Sequence, residues 1–192
     1  MSRAYWVKLS SSVVETIEAS DKATHRIELE AVVPEGEMQE ILDSALEDSD
    51  WQKDPDGKTF RKQIGEVTLV WDTEENVVEA SIESSQQASR DVRVEGRAYS
   101  QSGAQQDAER KLKQREKAAQ DAIAGEAEQL QKKLTKELGE NEADRVREIN
   151  GVLQKAYAEA IKRKARRLGN ITSVQEGTSD NGEYELTITI SE

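Results

Sequence analysis

The spacing of the apolar residues changes twice along the chain, and this change constrains the fold more than any other feature of the sequence. Before Gly103 and again after Ile171, apolar and polar residues alternate, which is typical of strands with one buried face. Between these two points apolar residues recur at every third or fourth position, as on one face of a helix. The sequence therefore predicts an α+β fold, a mainly antiparallel sheet into which a long helical segment is inserted.

The alternation predicts several short strands. Two N-terminal strands are expected at 4–9 and 25–33, joined into a hairpin by a turn at Asp21-Lys22. The polar run at 84–89 is expected to form either a loop or a wide hairpin tip. The other strands of this part are expected at 60–64, 67–71, 77–82 and 92–99.

One helix is expected to cover this sheet. Between Glu35 and Glu47 the apolar residues have helical spacing. They are Met38, Ile41, Leu42, Ala45 and Leu46. Pro34 ends the strand before this helix, and the run Asp54-Pro55-Asp56-Gly57 predicts a turn after it.

The inserted segment, residues 103–169, is expected to form a long antiparallel helical hairpin that breaks near 139–141. Most alanines of the chain lie in it, and alanine between two helices allows close approach but buries little area. Because each arm is longer than a small sheet, the hairpin is expected to project. Gly125 and Gly151 would lie at similar heights on the two arms, either in close contact or at a shared bend.

The last two strands are expected at 171–174 and 184–190, around a tight turn at Asp180-Asn181-Gly182. They are expected to return to the first sheet. The chain is therefore interpreted as a single domain, residues 1–192, in which 1–102 and 170–192 form the sheet part and 103–169 the inserted hairpin.

The net charge of −12 and the absence of cysteine exclude several classes of protein. Without cysteine the chain forms no disulfide, iron–sulfur cluster or cysteine-based zinc site. The negative charge disfavours non-specific binding to nucleic acid or to an anionic membrane. No apolar run is long enough to span a bilayer, so we expect a soluble, cytoplasmic protein without a membrane partner.

Positive charge is concentrated at 110–117 and 162–167, which an antiparallel hairpin would bring together at its base. Two explanations stay open. The cluster would either bind the phosphate groups of a nucleic acid, or complement the dipole at the C-terminus of the second helix and a neighbouring acidic sheet.

No set of residues has the pattern of a catalytic or cofactor site. His25 is the sole histidine, and it lies in phase with apolar neighbours, so a structural role is expected. The acidic turn at 54–57 lacks the later glutamate of an EF-hand. We therefore expect no enzymatic activity, no catalytic residue, no metal and no cofactor. The chain has three tryptophans, Trp6, Trp51 and Trp71. If one of them is exposed, it would mark a contact surface.

The predicted function is a non-catalytic protein-interaction module, an adaptor or scaffold, that contacts a protein partner or forms a homodimer through the hairpin. Val152 and Tyr157 lie to one side of the main apolar stripe and are the expected contacts. The alternative is a nucleic-acid-binding protein, although nucleic acid is the less favoured partner. That alternative would use Arg163, Lys164, Arg166 and Arg167.

The chain resembles a small accessory domain of bacterial ternary systems in three features. They are the opening Ser2-Arg3-Ala4-Tyr5-Trp6-Val7, the strand–strand–helix order after it and the Asp-Gly turn after Trp51. Those systems pair an FtsH-like AAA ATPase with a von Willebrand A domain protein. The resemblance covers roughly residues 1–100 and includes no catalytic motif. It implies a non-catalytic adaptor or effector-recognition part that works beside an ATPase, and it assigns no functional residue.

Overall fold

The computed structural model describes residues 4–178 and 184–191. The chain divides into two compact units, which are described separately. Unit 1 consists of Met1–Asp21 and Glu83–Glu137, and unit 2 consists of Lys22–Ile82 and Leu138–Glu192. Three elements contribute residues to both units. They are β1 (Tyr5–Arg26), β5 (Val77–Ala98) and α2 (Gln101–Glu140).

The remaining elements belong to unit 2. The helices are α1 (Glu35–Glu47) and α3 (Glu142–Leu168), and the strands are β2 (Gln52–Lys53), β3 (Thr59–Ile64), β4 (Val67–Asp72), β6 (Asn170–Thr178) and β7 (Tyr184–Ser191). The five-stranded antiparallel sheet has the order β1-β5-β4-β3-β2, so β1 is an edge strand. β6 and β7 pair with each other in a second, antiparallel sheet.

The predicted fold class is confirmed, and so are the elements that local spacing defines. The covering helix has the predicted bounds, and all five residues of its apolar face are buried. The turn at 54–57 joins β2 to β3, and Gly57 has a φ of 75°, which glycine adopts without strain. The long helical hairpin also forms as predicted, with its break at Asn141 between α2 and α3.

The prediction of short strands in the N-terminal half is wrong at two places. β1 and β5 are each a single strand of 22 residues, so Asp21-Lys22 is not a turn, residues 84–89 are neither a loop nor a hairpin tip, and residues 27–34 lie outside any strand. The reason is that one face of these strands is open to solvent. Serine, threonine and glutamine occupy that face, and in the sequence they look like a connection.

The expected return of the last two strands to the first sheet is also wrong, because β6 and β7 belong to a separate sheet. The turn expected at Asp180-Asn181-Gly182 lies outside the described residues. The boundary between the two units lies within β1, β5 and α2 and not at the ends of the hairpin. Whether the two units fold as a single domain stays a prediction, for which the Discussion gives a test.

Alanines expected between the two long helices contact other elements. Ala104 and Ala108 of α2 lie against Gly96 of β5 in unit 1. Ala158 of α3 lines a groove in unit 2 together with Ile41 and Ala45 of α1. The expectation that the hairpin projects is thus wrong for the start of α2, which lies on a strand, and for α3, which packs on α1.

The core of unit 2 lies on one face of its strands. Phe60, Leu69, Trp71 and Val78 are fully buried there. Trp51, which follows α1, packs edge-on against Trp71, with ring centroids 5.7 Å apart. Glu148 of α3 contacts this part of unit 2: it accepts a hydrogen bond from Trp51 Nε1 at 3.1 Å and forms an ion pair with Lys62 Nζ at 2.7 Å.

Candidate functional site

Gly96 fixes the position of α2 in unit 1. A Cβ atom at this residue would lie 2.1 Å from the carbonyl oxygen of Ala104 and 2.6 Å from the backbone nitrogen of Ala108. Real Cβ atoms do not approach backbone atoms that closely, so the contact requires glycine on the strand and small residues on the helix. The start of α2 therefore lies directly against the backbone of β5.

Side chains of α2 also bind the backbone of β5 near its C-terminal end, on the edge that faces away from β1. The backbone N–H of Arg97 donates to Asp107 at 3.3 Å, and Lys111 Nζ donates to the carbonyl oxygen of Glu95 at 3.1 Å. The hydrogen bond from the Lys111 ammonium, 2.6 Å away, and then the one from the Arg97 N–H hold the pKa of Asp107 below its usual value. This part of the β5 edge is thus occupied by α2.

Further along, α2 contacts β1 as well as β5. Ile123 forms a buried cluster with Ile17 of β1 and Ala88 of β5, and Leu130 packs against it. Gln131 then donates through Nε2 to the carbonyl oxygen of Ser20, at 2.9 Å. The helix therefore starts over β5 and reaches β1 between Ile123 and Gln131, so it crosses the two strands diagonally and leaves the first residues of β1 uncovered.

Four exposed residues occupy the start of β1 and the end of β5 with the position just after it, and we name them the aromatic patch: Tyr5, Trp6, Arg97 and Tyr99. Trp6 and Tyr99 are 57% and 80% exposed. The Arg97 guanidinium lies over the Trp6 ring, 5.0 Å from its centroid, which holds the two side chains together. Tryptophan, tyrosine and arginine are the residues that most often dominate the energy of protein–protein contacts.

Sequence reasoning identified Trp6 only conditionally and missed the other three residues. A signal was present, because Tyr5 and Trp6 are adjacent in a strand and must point to opposite faces. At least one of two large aromatic side chains therefore has to lie on the open face. The position of Arg97 over the Trp6 ring depends on the pairing of β1 with β5, which the sequence does not specify.

The two residues expected to contact a partner have internal roles in unit 2. Val152 is fully buried, so the expectation that it contributes to an exposed surface is wrong. Tyr157 is partly buried, and its hydroxyl accepts a hydrogen bond from the backbone N–H of Glu30 at 2.9 Å. It holds the irregular segment after β1 against α3.

The basic residues near the end of α3 face acidic partners within unit 2. Arg163 and Arg166 pair with Glu159 at 3.4 and 3.5 Å, and Arg167 pairs with Glu37 at the start of α1. Lys164 is exposed. These ion pairs favour the explanation in which the cluster compensates nearby acidic charge, and the other basic run, 110–117, lies in unit 1.

The acidic turn after α1 also has internal partners. Asp54 pairs with Arg61 at 3.0 Å. Asp56 accepts hydrogen bonds from the backbone N–H groups of Lys58 and Thr59 at 2.9 and 3.0 Å, and these bonds, the one from Lys58 first, lower its pKa. In the part of the chain that the structure describes, no group of three or more acidic or histidine residues is arranged to hold a metal ion.

These bonds predict a pH dependence that the variant Asp56→Ala tests. A carboxylate with a lowered pKa stabilises the fold above its unfolded pKa, near 3.8, and this contribution is lost as the pH falls through the folded pKa. We expect the variant to unfold at lower urea concentration than the wild type at pH 7, with a difference that shrinks below about pH 4. The exposed turn residue Glu66 supplies the control Glu66→Ala. A difference that stays constant with pH would contradict the assignment.

Among the described residues, no helix is long and apolar enough to cross a membrane. The sole histidine, His25, has a buried Nε2 without a hydrogen-bond partner.

The comparisons with known proteins give one match. A family model described as FtsH ternary system domain X5 matches residues 1–191 of the chain. No curated protein and no solved structure matches it.

Proposed function

Since the chain belongs to the FtsH ternary system domain X5 family, we propose that it is a non-catalytic adaptor or scaffold that binds a protein component of such a system through the aromatic patch. The match extends over nearly the whole chain, whereas the sequence resemblance covered its first half. The systems named in the resemblance pair an FtsH-like AAA ATPase with a von Willebrand A domain protein, and the resemblance implies a part that works beside the ATPase. The ATPase is the partner that we propose.

The observation that carries the proposal is the exposure of the aromatic patch. Only eight aromatic residues occur in the chain, and three of them are exposed at the start of β1 or just after the end of β5, where Arg97 contacts the Trp6 ring. Burying these side chains at an interface would release water from a large apolar area. The hydrogen bond from the Arg97 backbone N–H to Asp107 and the contact of its guanidinium with the Trp6 ring hold these two residues of the patch in one arrangement before a partner binds.

Charge also favours unit 1 as the contacting part. Its 13 Lys and Arg residues balance 13 Asp and Glu residues, whereas unit 2 carries the whole net charge of −12. A partner with an acidic surface would be repelled by unit 2 but not by unit 1. The exposed basic residues of α3, Lys164, Arg166 and Arg167, are proposed as a second and weaker contact.

Binding of the chain to the purified FtsH-like ATPase of its own system tests this function. We expect the double variant Trp6→Ala/Tyr99→Ala to weaken binding at least about 30-fold, because each side chain of a contact centre contributes roughly 1–2 kcal/mol or more. The control is Leu168→Ala, which removes an exposed apolar side chain of unit 2 and should change affinity less than twofold.

Two outcomes would contradict the proposal. One is that the double variant binds the ATPase as tightly as the wild type while its circular dichroism is unchanged. The other is that the chain retains RNA at 150 mM salt, roughly physiological ionic strength, and that charge reversal at Arg163, Lys164, Arg166 and Arg167 abolishes this binding. The second result would establish the nucleic-acid alternative.

A further inference from the structure

The outer edge of β1 is a surface distinct from the aromatic patch, and its backbone groups can be assigned from the contacts in unit 1. The N–H of Arg97 and the carbonyl of Glu95 are bound by α2, so they point away from β1. Trp6 lies against Arg97, and Lys8 pairs with Glu95 at 3.0 Å, so these residues lie opposite one another. Opposite residues of an antiparallel pair exchange both hydrogen bonds or neither. The N–H and carbonyl groups of Trp6 and Lys8 therefore point to the outer edge of β1.

The same orientation recurs at every second residue of a strand. It applies to the even-numbered residues from Trp6 to Ser20. The carbonyl of Ser20 agrees with this assignment, because Gln131 of α2 binds it. Among the described residues, no hydrogen bond reaches the outward backbone groups from Trp6 to Glu18. The diagonal path of α2 thus protects the β5 edge at 95–97 and leaves the β1 edge open over more than ten residues.

We propose that this open edge pairs with the same edge of a second copy of the chain, antiparallel and centred on Val13, so that the strands of the two copies form one continuous sheet. An unprotected edge of this length is a template for strand addition. A two-fold pairing of this kind keeps both α2 helices on the same face of the sheet.

The choice of a second copy follows from the self-complementary sequence of β1. With Val13 at the centre, Lys8 faces Glu18 of the other copy, Leu9 faces Ile17, and Val13 faces itself. Oppositely charged and apolar cross-strand pairs stabilise a sheet. The polar residues also match, since Ser10 faces Thr16.

Neighbouring registers lack this match. Two-fold symmetry requires the centre to lie at a residue, so the next candidates are Ser12 and Val14. Centring on Ser12 places Leu9 opposite Glu15, and centring on Val14 places Val13 opposite Glu15. In either case a carboxylate would face an apolar side chain on the side covered by α2.

Charge balance favours the same occupant. Unit 1 has no net charge, so two copies of it approach without the repulsion that a net charge of −12 on unit 2 would cause. The pairing uses residues 8–18, and the hydrogen bond from Gln131 to Ser20 marks where the open edge ends.

The absence of cysteine makes the register testable by disulfide trapping in the full chain. In the proposed dimer the two Val13 residues face each other as a pair without mutual hydrogen bonds, with Cα atoms about 4.5 Å apart, which a disulfide can span. We expect Val13→Cys to form a disulfide-linked dimer on mild oxidation. The matched control is Ser11→Cys on the same face, whose counterpart lies about 14 Å away, so it should form several-fold less.

Three further variants separate this pairing from random collision. Ser12→Pro, placed in the Val13→Cys chain, removes only an outward N–H and should abolish the crosslink while circular dichroism stays unchanged. Lys8→Glu and Glu18→Lys should each weaken the unlinked dimer about tenfold, and the double exchange should restore it. The charge variants keep the test decisive if the proline variant does not fold.

Sedimentation equilibrium of the wild-type chain measures the association itself. The proposal expects the 21.5 kDa chain to double its mass with rising concentration. If the chain stays monomeric up to about 0.2 mM, its dissociation constant lies above that concentration and is too weak for a specific dimer. This result would overturn the proposal. Equal trapping at positions 11 and 13 would also overturn it. The double variant Trp6→Ala/Tyr99→Ala separates the two proposals. If it loses ATPase binding but still dimerises, the result bears on the aromatic patch and not on the β1 edge.

Discussion

Replacing Gly96 by alanine is expected to destabilise the protein by about 3 kcal/mol or more, because the added methyl group overlaps backbone atoms of α2. The Cβ would meet the Ala104 carbonyl at 2.1 Å and the Ala108 backbone nitrogen at 2.6 Å. Neither is the end of a flexible side chain, so relief requires α2 to move off β5. We expect the thermal midpoint to fall by roughly 10 °C, measured by circular dichroism.

The matched control is Gly125→Ala, which adds the same methyl group within α2, the helix that Gly96 contacts. A Cβ at Gly125 has no heavy atom within 4 Å, and alanine favours the helix over glycine by about 1 kcal/mol. This variant should therefore raise the midpoint. If both variants raise it, the close approach of α2 to β5 is wrong.

Replacing Trp71 by alanine is expected to cost about 3–5 kcal/mol, since it removes a large, fully buried ring from the core of unit 2. Trp51, which packs edge-on against this ring, would lose its partner. Trp71→Phe serves as the control. It keeps a ring and removes the Nε1 group, which is buried without a hydrogen-bond partner, so its cost should be clearly smaller.

Together, these substitutions test the prediction of a single domain by calorimetry. Gly96 lies in unit 1 and Trp71 in unit 2. If the chain folds as one cooperative domain, either variant lowers the midpoint of one shared transition. Two transitions, each sensitive to only one of the substitutions, would contradict the single-domain interpretation.

The elements predicted correctly from sequence are those with a strong local signal. The apolar stripe of α1 and its start after Pro34 define this helix completely, because burial and helix geometry agree at every turn. The same holds for the break between α2 and α3 at Asn141. Glycine and aspartate at 54–57 specify a turn through backbone preferences that depend on no distant residue.

The long strands were not predictable in this way, because half of each strand faces solvent. In β1 the serines at 10–12 interrupt the apolar alternation, and only Val13, Ile17 and Ala19 indicate a covered face. Their cover is α2, which is distant in the sequence. A strand with a weak apolar face becomes recognisable only together with the helix that packs on it.

The sequence also did not show which residues would lie beside one another. The alternation in β7 predicted a strand correctly, but it does not specify the strand with which β7 pairs. The aromatic patch depends on pairing in the same manner, since Trp6 meets Arg97 only through the register of β1 with β5. The expected contact residue Val152 is buried, and it lies beside Ser49 after α1 and Ile64 of β3, which are distant from it in the sequence.

Hydrogen–deuterium exchange of the full chain, with and without the purified FtsH-like ATPase, tests the central claim most directly. If the aromatic patch binds the ATPase, amide protection should increase at 5–8 and 97–100 when the ATPase is present, and it should stay unchanged in Trp6→Ala/Tyr99→Ala. Protection confined to 162–168 of α3, with no change at the start of β1 or at the end of β5, would contradict the claim.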